Sequence, residues 1–489
     1  MKLCDVLPRD EIVSSECIKS IEITGVSSRT DDDLRGKLFV CIEGTRVDSH
    51  NLISCAASRG AVAALIEHDA YAPEGFPVVK VKSTRRALAL VSYAPYAEKI
   101  NKLKLIGVCG TNGKTSVTHF LKHIIEGAGH RCGTVGTLGV TLTDDLSDDE
   151  MWSMTTPDPE LLYPTLAKMY DKGAEFVVLE ASSHALALSK LDALTFDVAI
   201  FTGITPEHLD FHKNMEEYFA AKQKLFRMSR DAVIFGECPY AERIRKTVRG
   251  RCITVGREIG YDLSAADIAC DATGTRYKIN GEALVSLSAL GDYTVTNSLL
   301  AIGAAELIGI NREKSATVLC SVKAPAGRLQ RIGLGGADVS VFIDYAHTEA
   351  AMESTLSFLR RVCQGKLTVV FGCGGDRDRS KRAPMGRIAA KYADRIIVTS
   401  DNSRNEEKKK IIEDILAGIP RGACCKVISD RRRAIEYAIQ HAEACETVVL
   451  VGKGHEKYEI DNYGKHAFSE EEIVRASAIE YIKRKKNEN

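Results

Sequence analysis

The chain has 489 residues, 45% hydrophobic and 27% charged, and its 66 basic residues balance 66 acidic ones to a formal net charge of +0. That balance argues against a nucleic-acid partner held by bulk charge, and the length predicts about three domains. We expect the 15 cysteines to be reduced, mostly buried thiols of a cytoplasmic protein. The sequence predicts neither a signal peptide nor a membrane span.

Strand-like and helix-like segments alternate along the chain in three blocks, which we place at residues 1–99, 100–331 and 332–489. Alternation of this kind predicts α/β domains with parallel sheets covered by helices, and sites at the carboxyl ends of the strands. A β-rich stretch of hairpins is expected between about residues 252 and 290. The other strands are predicted at 38–42, 61–66, 78–81, 103–108, 176–179, 197–201, 232–235, 339–343, 367–371, 395–399 and 447–451.

A glycine-rich loop follows strand 103–108, and a helical pattern begins at Val117. Backbone N–H groups of such a loop surround phosphate oxygens, a lysine reaches the terminal phosphates, and the next hydroxyl ligates Mg²⁺. The strict consensus has glycine at position 108, where this chain has valine. The loop still predicts a nucleoside triphosphate site, without distinguishing kinase, motor, switch or ligase. Its residues are Gly110, Thr111, Asn112, Gly113, Lys114, Thr115 and Ser116.

Polar residues follow the next two strands. Glu180 ends strand 176–179, where a carboxylate facing a phosphate loop is a natural magnesium anchor, although an incidental polar strand end is an equal alternative. His208 and His212 are spaced to share one helix face, but phosphate chemistry favours Mg²⁺ with oxygen ligands over zinc. By periodicity residues 215–226 form an amphipathic helix, on which Lys222 and Lys224 are expected to be solvated.

Taken together, these motifs resemble the Mur ligase family, and most of all its branch that adds the third amino acid to the UDP-linked peptidoglycan precursor. The matches span nearly the whole chain. They are residues 27–29 with 36–40, 110–116, 155–158, 180–186, 208–212 with 220–226, 327–329, 344–348, 372–378 and 452–456.

The resemblance implies an N-terminal domain for the UDP end, a central ATPase and a C-terminal Rossmann-like domain that binds the amino acid. It implies an amide-bond-forming ligase that uses ATP and two Mg²⁺ ions through an acyl phosphate, with a carbamylated Lys222. Family positions implied to be catalytic are Lys114, Glu180, His208 and Lys222. The implied metal ligands are Thr115, Glu180, His208 and Lys222, and further nucleotide contacts are Asn297, Arg328, Asp344 and His347.

The two implied substrates are a UDP-muramoyl dipeptide and a diamino acid. Ser28, Thr155, Thr156, Ser182 and Lys190 match positions that grip the first. Arg404 lies where the diaminopimelate branch has Asp-Asn-Pro-Arg, whose arginine holds the second carboxylate of that amino acid bidentately. The sequence therefore favours meso-diaminopimelate over L-lysine. The remaining positions implied for the amino acid are Arg377, Asp401, Asn402, Gly454 and Glu456.

Several positions depart from the family pattern. Ser27 replaces Asp, Lys190 replaces Arg, Gln330 replaces Glu and Ser403 replaces Pro. A lysine-adding ligase and a divergent paralogue with another carboxylate acceptor therefore stay open. A folate-type ligase and a nucleotide-dependent switch are weaker alternatives, because the N-terminal block argues against the first and a second metal site against the second. We expect a monomer.

Overall fold

The structure is a computed structural model that describes residues 1–14, 18–44, 47–142 and 154–488. The chain divides into two compact units. Unit 1 comprises Met1–Val255 and Leu300–Asn311, and unit 2 comprises Gly256–Leu299 and Arg312–Asn489. The three domains with boundaries at residues 99 and 331 stay a prediction.

The first sheet of unit 1 has the strand order β1-β5-β4-β3-β2. Neighbours from β2 to β5 run parallel, and β1 pairs antiparallel with β5. The strands are short and apolar, so both faces of the sheet are buried under helices. Its elements are α1 (Leu3–Val6), β1 (Ile12–Ser14), β2 (Gly25–Ser27), β3 (Lys37–Val40), α2 (Ile53–Ser58), β4 (Ala63–Ile66), β5 (Val78–Val81), α3 (Thr84–Tyr93) and α4 (Ala97–Ile100).

The second sheet of unit 1 has the order β12-β11-β10-β6-β9-β7-β8 and is parallel except for β8. Val108 pairs with Glu180 and Cys109 with Phe201, so three strands end at one edge. Its elements are β6 (Lys104–Cys109), α5 (Lys114–Gly127), β7 (Cys132–Gly136), β8 (Gly139–Thr141), α6 (Pro159–Asp171), β9 (Phe176–Glu180), α7 (Ser183–Ala187), β10 (Phe196–Phe201), α8 (Leu209–His212), α9 (Met215–Arg227), β11 (Ser229–Phe235), α10 (Ala241–Arg245) and β12 (Cys252–Gly256).

Unit 2 contains the predicted hairpins and a parallel sheet. The hairpins are antiparallel, in the order β15-β14-β13, and the second sheet has the order β16-β17-β21-β18-β19-β20, in which only β16 is antiparallel. The predicted α/β class is therefore confirmed. The elements up to the sheet's first two strands are β13 (Leu263–Cys270), β14 (Thr275–Ile279), β15 (Ala283–Leu287), α11 (Asp292–Leu307), α12 (Arg312–Leu319), β16 (Gln330–Ile332) and β17 (Ser340–Asp344).

Helices cover both faces of the sheet in unit 2, and its core lies between them. The remaining elements are α13 (Glu349–Val362), β18 (Leu367–Phe371), α14 (Arg382–Tyr392), β19 (Arg395–Val398), α15 (Lys408–Leu416), β20 (Cys425–Val427), α16 (Arg431–Gln440), β21 (Thr447–Val451), the hairpin β22 (Tyr458–Asp461) and β23 (Gly464–Ala467), and α17 (Glu470–Glu488).

The sequence also made predictions about membrane-spanning helices and about the burial of the cysteines. Among the described residues, no helix combines the length and apolarity that a membrane crossing requires. The described cysteines are all free, as expected, but only some are buried. Cys41, Cys109, Cys132, Cys238 and Cys373 are buried, whereas Cys55, Cys320, Cys424 and Cys445 are exposed.

Candidate active site

The glycine-rich loop curls around the end of β6 before α5 begins. Gly110 has φ +148°, and a Cβ there would lie 1.9 Å from the Thr202 hydroxyl, so no other residue fits. The Thr111 hydroxyl donates to the Thr205 carbonyl at 3.1 Å and accepts its N–H at 2.9 Å. The Lys114 amine donates to the carbonyls of Gly110 and Thr111, at 3.0 and 2.8 Å. The loop is thus held by the turn that follows β10, with Asn112 exposed and Ser116 buried.

Glu180, at the end of β9, lies directly beside the loop. Its carboxylate is buried, and the Thr115 hydroxyl donates to Oε2 at 3.1 Å. Thr137 donates twice, with its N–H to Oε1 at 3.1 Å and its hydroxyl to Oε2 at 2.9 Å. Three donors therefore orient a carboxylate against the hydroxyl that the motif assigns to Mg²⁺. Thr137 was missed in the sequence, although its place after the buried strand β7 puts it at the same sheet edge.

The prediction that the Lys222 side chain is solvated is wrong, because the structure buries it. Its side chain on α9 is 1% exposed, its amine donates to the Gly110 carbonyl at 2.8 Å, and it lies 4.4 Å from the centre of the Tyr218 ring. Burial, followed by the charge of Lys114, lowers the pKa of Lys222 to about 7. Lys224 is half-buried and donates to the Leu186 carbonyl at 3.1 Å. The structure thus brings the predicted lysine to the phosphate loop.

The prediction that His208 and His212 share one helix face is wrong. His208 precedes α8 with a left-handed φ of +55°, whereas His212 is the buried last residue of that short helix. Both rings approach His184, with centroids 4.9 and 5.6 Å away. Burial lowers the pKa of His184 and of His212 to about 4, so both are neutral near pH 7. Within the described ranges these rings form no three-residue cluster of metal-binding geometry.

A cleft of about 390 Å³ in unit 1 contains two of the predicted substrate residues, Ser28 and Lys190. Lys190 is buried and pairs with Asp158 at 2.7 Å. Thr156 and Ser182 bind each other, with hydroxyl oxygens 3.1 Å apart, and Thr156 also donates to the Glu180 carbonyl at 2.7 Å. Thr155 lies 3.3 Å from Thr137 between their hydroxyl oxygens. The two threonines and Ser182 are therefore connected to the carboxylate edge.

In unit 2, three of the predicted nucleotide residues surround one loop. Asp344, at the end of β17, accepts from the N–H groups of Leu329 and Ala346 at 2.5 and 2.9 Å. The guanidinium of Arg328 lies 4.6 Å from the Tyr345 ring centre, and the His347 ring lies 4.7 Å from it. Gln330, in place of the family glutamate, accepts from the Gly327 N–H at 2.9 Å and so keeps this loop attached. Asn297 is buried on α11.

The predicted amino-acid residues converge after β19 and β21. Asn402 donates to Glu456 at 2.7 Å and accepts from the buried Lys453 amine at 2.9 Å. One nitrogen of Arg404 donates to the Gly375 and Asn402 carbonyls, at 2.8 and 3.3 Å. The other guanidinium nitrogens have no hydrogen-bond partner in the described part of the chain and can receive a ligand carboxylate.

The charges of this cluster are set by burial and by cations. Burial raises the pKa of Glu456. Burial opposes ionisation of Asp401, but Lys453 and Arg431 together hold its pKa below the usual value. Gly454 has φ +55°, and a Cβ there would lie 2.6 Å from the Tyr345 side chain, so it joins the amino-acid cluster to the Arg328 loop. Arg377 is exposed beside them.

Arg382, which the sequence did not single out, holds the two loops of this cluster in place. Its fully buried guanidinium binds both oxygens of Glu406 at 2.9 and 3.0 Å, Asp414 at 2.9 Å and the Gly374 carbonyl at 3.3 Å. Glu406 also accepts from the Asp376 N–H at 2.6 Å. Nothing local in the sequence distinguishes this arginine from exposed ones such as Arg379, since its burial depends on partners 24 and 32 residues away.

Replacing Arg382 with methionine is expected to lower the free energy of unfolding by about 2 kcal/mol, because it leaves two carboxylates without their shared cation. The effect is at the low end for a buried pair since the side chains of Glu406 and Asp414 are 22% and 34% exposed. Urea titration measures this decrease in the free energy of unfolding. The matched control is Arg379→Met, because Arg379 is 62% exposed and also pairs with Asp414. Equal midpoints for the two variants would contradict the prediction.

The Mur ligase middle domain model matches residues 108–305, and the model of the Mur ligase glutamate ligase domain matches residues 327–454. A relative from Clostridioides difficile (strain 630), named UDP-N-acetylmuramoyl-L-alanyl-D-glutamate–2,6-diaminopimelate ligase, is 37% identical over 482 residues, which cover 97% of this chain and 99% of its own. This chain belongs to the Mur ligase family.

Other relatives agree with this assignment over the full length of this Mur ligase. A protein of the same name from Aquifex aeolicus (strain VF5) is 38% identical, with 93% of each chain covered. A solved structure, titled as that of the same ligase, has a TM-score of 0.70 and 28% identity, and covers 98% of this chain and 99% of its own. The predicted family is confirmed. The roles of the individual site residues stay predictions.

Proposed function

We propose that this Mur ligase uses ATP to join meso-2,6-diaminopimelate to UDP-N-acetylmuramoyl-L-alanyl-D-glutamate, through an acyl phosphate. The observation that carries the ligase chemistry is the fully buried Lys222, whose amine donates to Gly110 of the phosphate loop. A protein that only binds a nucleotide does not need such a lysine. The printed names of the full-length relatives support the choice of substrates.

The residues at the sheet edge fit Mg²⁺ and a carbamate. Glu180 and the Thr115 hydroxyl, 3.1 Å apart, supply the hard oxygen ligands that Mg²⁺ prefers. Lys222 forms no ion pair with a carboxylate in the part of the chain that is described, and its buried amine favours the neutral form that reacts with CO₂. We assign Thr115 and Glu180 to one ion, and His208 with carbamylated Lys222 to the second. Bound ions would neutralise charge on the phosphates and on the attacking carboxylate.

The protein's own groups then position the reactants. The loop N–H groups and the Lys114 amine hold the triphosphate, while Ser28, Thr155, Thr156, Ser182 and Lys190 hold the UDP-muramoyl dipeptide. Its terminal carboxylate attacks the γ-phosphate, and ADP leaves. The amine of the incoming amino acid attacks the acyl carbon, and phosphate leaves as the amide forms. Positioning and exclusion of water matter because an acyl phosphate hydrolyses readily.

We further propose that Arg404 selects the amino acid. Its unused guanidinium nitrogens suit the second carboxylate of diaminopimelate, which lysine lacks. Glu456, which is hydrogen-bonded to Asn402, and the backbone at Gly454 suit the distal ammonium, with Arg377, Asp401 and Asn402 completing the subsite. Asn297, Arg328, Asp344 and His347 are proposed to contact the nucleotide. We place the enzyme in the cytoplasm and expect a monomer.

Thr115→Val is expected to raise the Mg²⁺ concentration that gives half-maximal activity by about tenfold, because the isosteric change removes one oxygen ligand. The measurement is phosphate release against Mg²⁺. Thr118→Val is the matched control, since Thr118 is a buried threonine on the same helix whose hydroxyl has no described partner. A Thr115→Val enzyme with the Mg²⁺ dependence of wild type would remove Thr115 from the metal site.

The proposed function is tested by phosphate release with ATP, Mg²⁺ and UDP-N-acetylmuramoyl-L-alanyl-D-glutamate. We expect release on adding meso-diaminopimelate and little with L-lysine. Release with lysine alone would keep the ligase and reject the proposed role of Arg404. Absence of release with either amino acid would favour a paralogue with another acceptor. ATP turnover without any amino acid dependence would favour a nucleotide switch.

A further inference from the structure

Arg431, the first residue of α16, contacts both loops of the amino-acid cluster from a buried position. Its Nη1 donates to the Ser400 carbonyl at 3.1 Å, and its Nη2 donates to the Val451 carbonyl at 3.0 Å. Its Nε donates to Oε1 of Glu470 at 2.8 Å, and the side chains of Arg431 and Glu470 are 0% and 1% exposed. Because the guanidinium is buried and donates from each nitrogen inside the protein, it does not contact a substrate directly.

The two carbonyls lie at the ends of strands that are not neighbours. Val451 is the last residue of β21, directly before the loop 452–456, and Ser400 lies directly before the loop 401–404 that follows β19. In the sheet, β18 lies between β21 and β19. Arg431 therefore links two segments that the strand ladder connects only through a third strand.

The strand ends pack backbone against backbone, with little room for displacement. A Cβ at Gly372, which follows β18, would lie 2.9 Å from the Ser400 carbonyl oxygen. Gly452 has φ +118°, and a Cβ there would lie 2.9 Å from the Asp401 carboxylate. Interiors packed this closely allow few alternative arrangements, so the contacts that hold the Ser400 and Val451 carbonyls also determine where the loop side chains lie.

The chemistry of the Arg431–Glu470 pair favours a role in geometry over a role in stability. Buried ion pairs recover little of their desolvation cost, and replacing both partners with apolar side chains is often neutral. Oε2 of Glu470 is buried and has no hydrogen-bond partner among the described residues, so this pair does not recover the full cost of burying the carboxylate. A planar guanidinium, in contrast, fixes two acceptors at a defined separation, which apolar packing does not.

We propose that Arg431 is a positioning residue, which holds the ends of β19 and β21 at the separation that the incoming amino acid requires. Its Nη1 also lies 3.8 Å from the Asp401 carboxylate, and so favours the charged form of a group proposed to bind that amino acid. Removing Arg431 is therefore expected to weaken binding of the amino acid more than binding of the other two substrates. This inference rests on the proposed function, in which both loops bind the amino acid.

A double variant, Arg431→Met with Glu470→Leu, tests the inference without leaving a buried carboxylate unpaired. Its KM for meso-diaminopimelate is expected to rise about tenfold, because a displaced loop loses about one hydrogen bond to a charged ligand. The KM values for ATP and for the UDP-linked substrate, and kcat, should change by less than about twofold. The urea midpoint should stay near that of wild type. The matched control is Arg432→Met, which changes the exposed arginine next to Arg431 on the same helix and should resemble wild type.

A second variant, Arg431→Lys, keeps the charge beside Glu470 and Asp401 but loses the planar pair of donors. It should raise the same KM by about threefold. The inference is overturned if both folded variants keep the wild-type KM for diaminopimelate. A rise of all three KM values alike would also overturn it, because Arg431 would then support the fold in general. Phosphate release by wild type that depends on no amino acid would instead contradict the proposed function, and this inference with it.

Discussion

Replacing Lys222 with methionine is expected to lower the rate of phosphate release by about a thousandfold, with the fold intact. Methionine fills a similar volume in the buried site, so the change removes the amine without opening a cavity. The loss follows because the proposed carbamate, and with it a ligand of the second ion, cannot form. Phosphate release at saturating substrates measures the effect, and circular dichroism checks the fold.

The same lysine predicts a dependence on pH and on CO₂. Burial lowers the pKa of Lys222 to about 7, so its amine is mostly neutral above that value and protonated below it. Only the neutral amine reacts with CO₂. We therefore expect CO₂ depletion to lower the activity of wild type, acidification through pH 7 to lower it further, and added bicarbonate to restore activity better above pH 7 than below it.

A carbamate can be observed directly. After exposure to ¹³C-bicarbonate, wild type and Lys224→Met should show a carbamate carbon signal by NMR that Lys222→Met lacks. Lys224 is the matched control because it lies on the same helix and donates to the Leu186 carbonyl. A Lys222→Met enzyme with full activity, or a wild type without any carbamate signal, would reject the proposed modification.

The sequence predicted the strand ends well because buried parallel strands are local apolar runs, and the residues that follow them meet at one edge. It was wrong about Lys222 because we weighted the charge of a lysine above its place in the helix. Tyr218, Lys222 and Phe226 are spaced four apart, and all three are buried. The spacing of these residues alone predicts that Lys222 lies on the apolar face of α9.

What the sequence did not reveal depends on contacts between distant segments. Asn402 and Glu456 are 54 residues apart, and Ser28 and Glu160 are 132 apart. Each of the first pair belongs to a motif, but no local pattern indicates that their side chains bind each other. Glu160 belongs to none of the family motifs, so its hydrogen bond to Ser28 is visible only in the structure.

Arg404→Met is expected to raise the KM for meso-diaminopimelate by about a hundredfold, while the KM values for ATP and for the UDP-linked substrate change little. The guanidinium is fixed by the Gly375 and Asn402 carbonyls, and its remaining nitrogens are free to bind both oxygens of a carboxylate. Initial rates with each substrate varied in turn give the three constants.

Two further variants separate recognition from loop structure. Arg404→Lys keeps the charge but loses the planar pair of donors, so its KM for diaminopimelate should fall between those of wild type and Arg404→Met. Arg379→Met, which changes an exposed arginine in the preceding loop, should resemble wild type. If Arg404→Met raised all three KM values alike, Arg404 would be a structural residue of the loop.

The comparison with L-lysine gives the sharper criterion, because lysine has the same α-amino acid group and distal ammonium but no second carboxylate. Removing the Arg404 guanidinium weakens only the interaction with that carboxylate. Arg404→Met should therefore reduce kcat/KM for diaminopimelate and leave the low value for lysine unchanged. The ratio of the two kcat/KM values then measures the interaction between Arg404 and the second carboxylate, because the concentration of active enzyme cancels. A ratio equal to that of wild type would assign the discrimination to Glu456 and Asn402, whose side chains are hydrogen-bonded to each other at 2.7 Å.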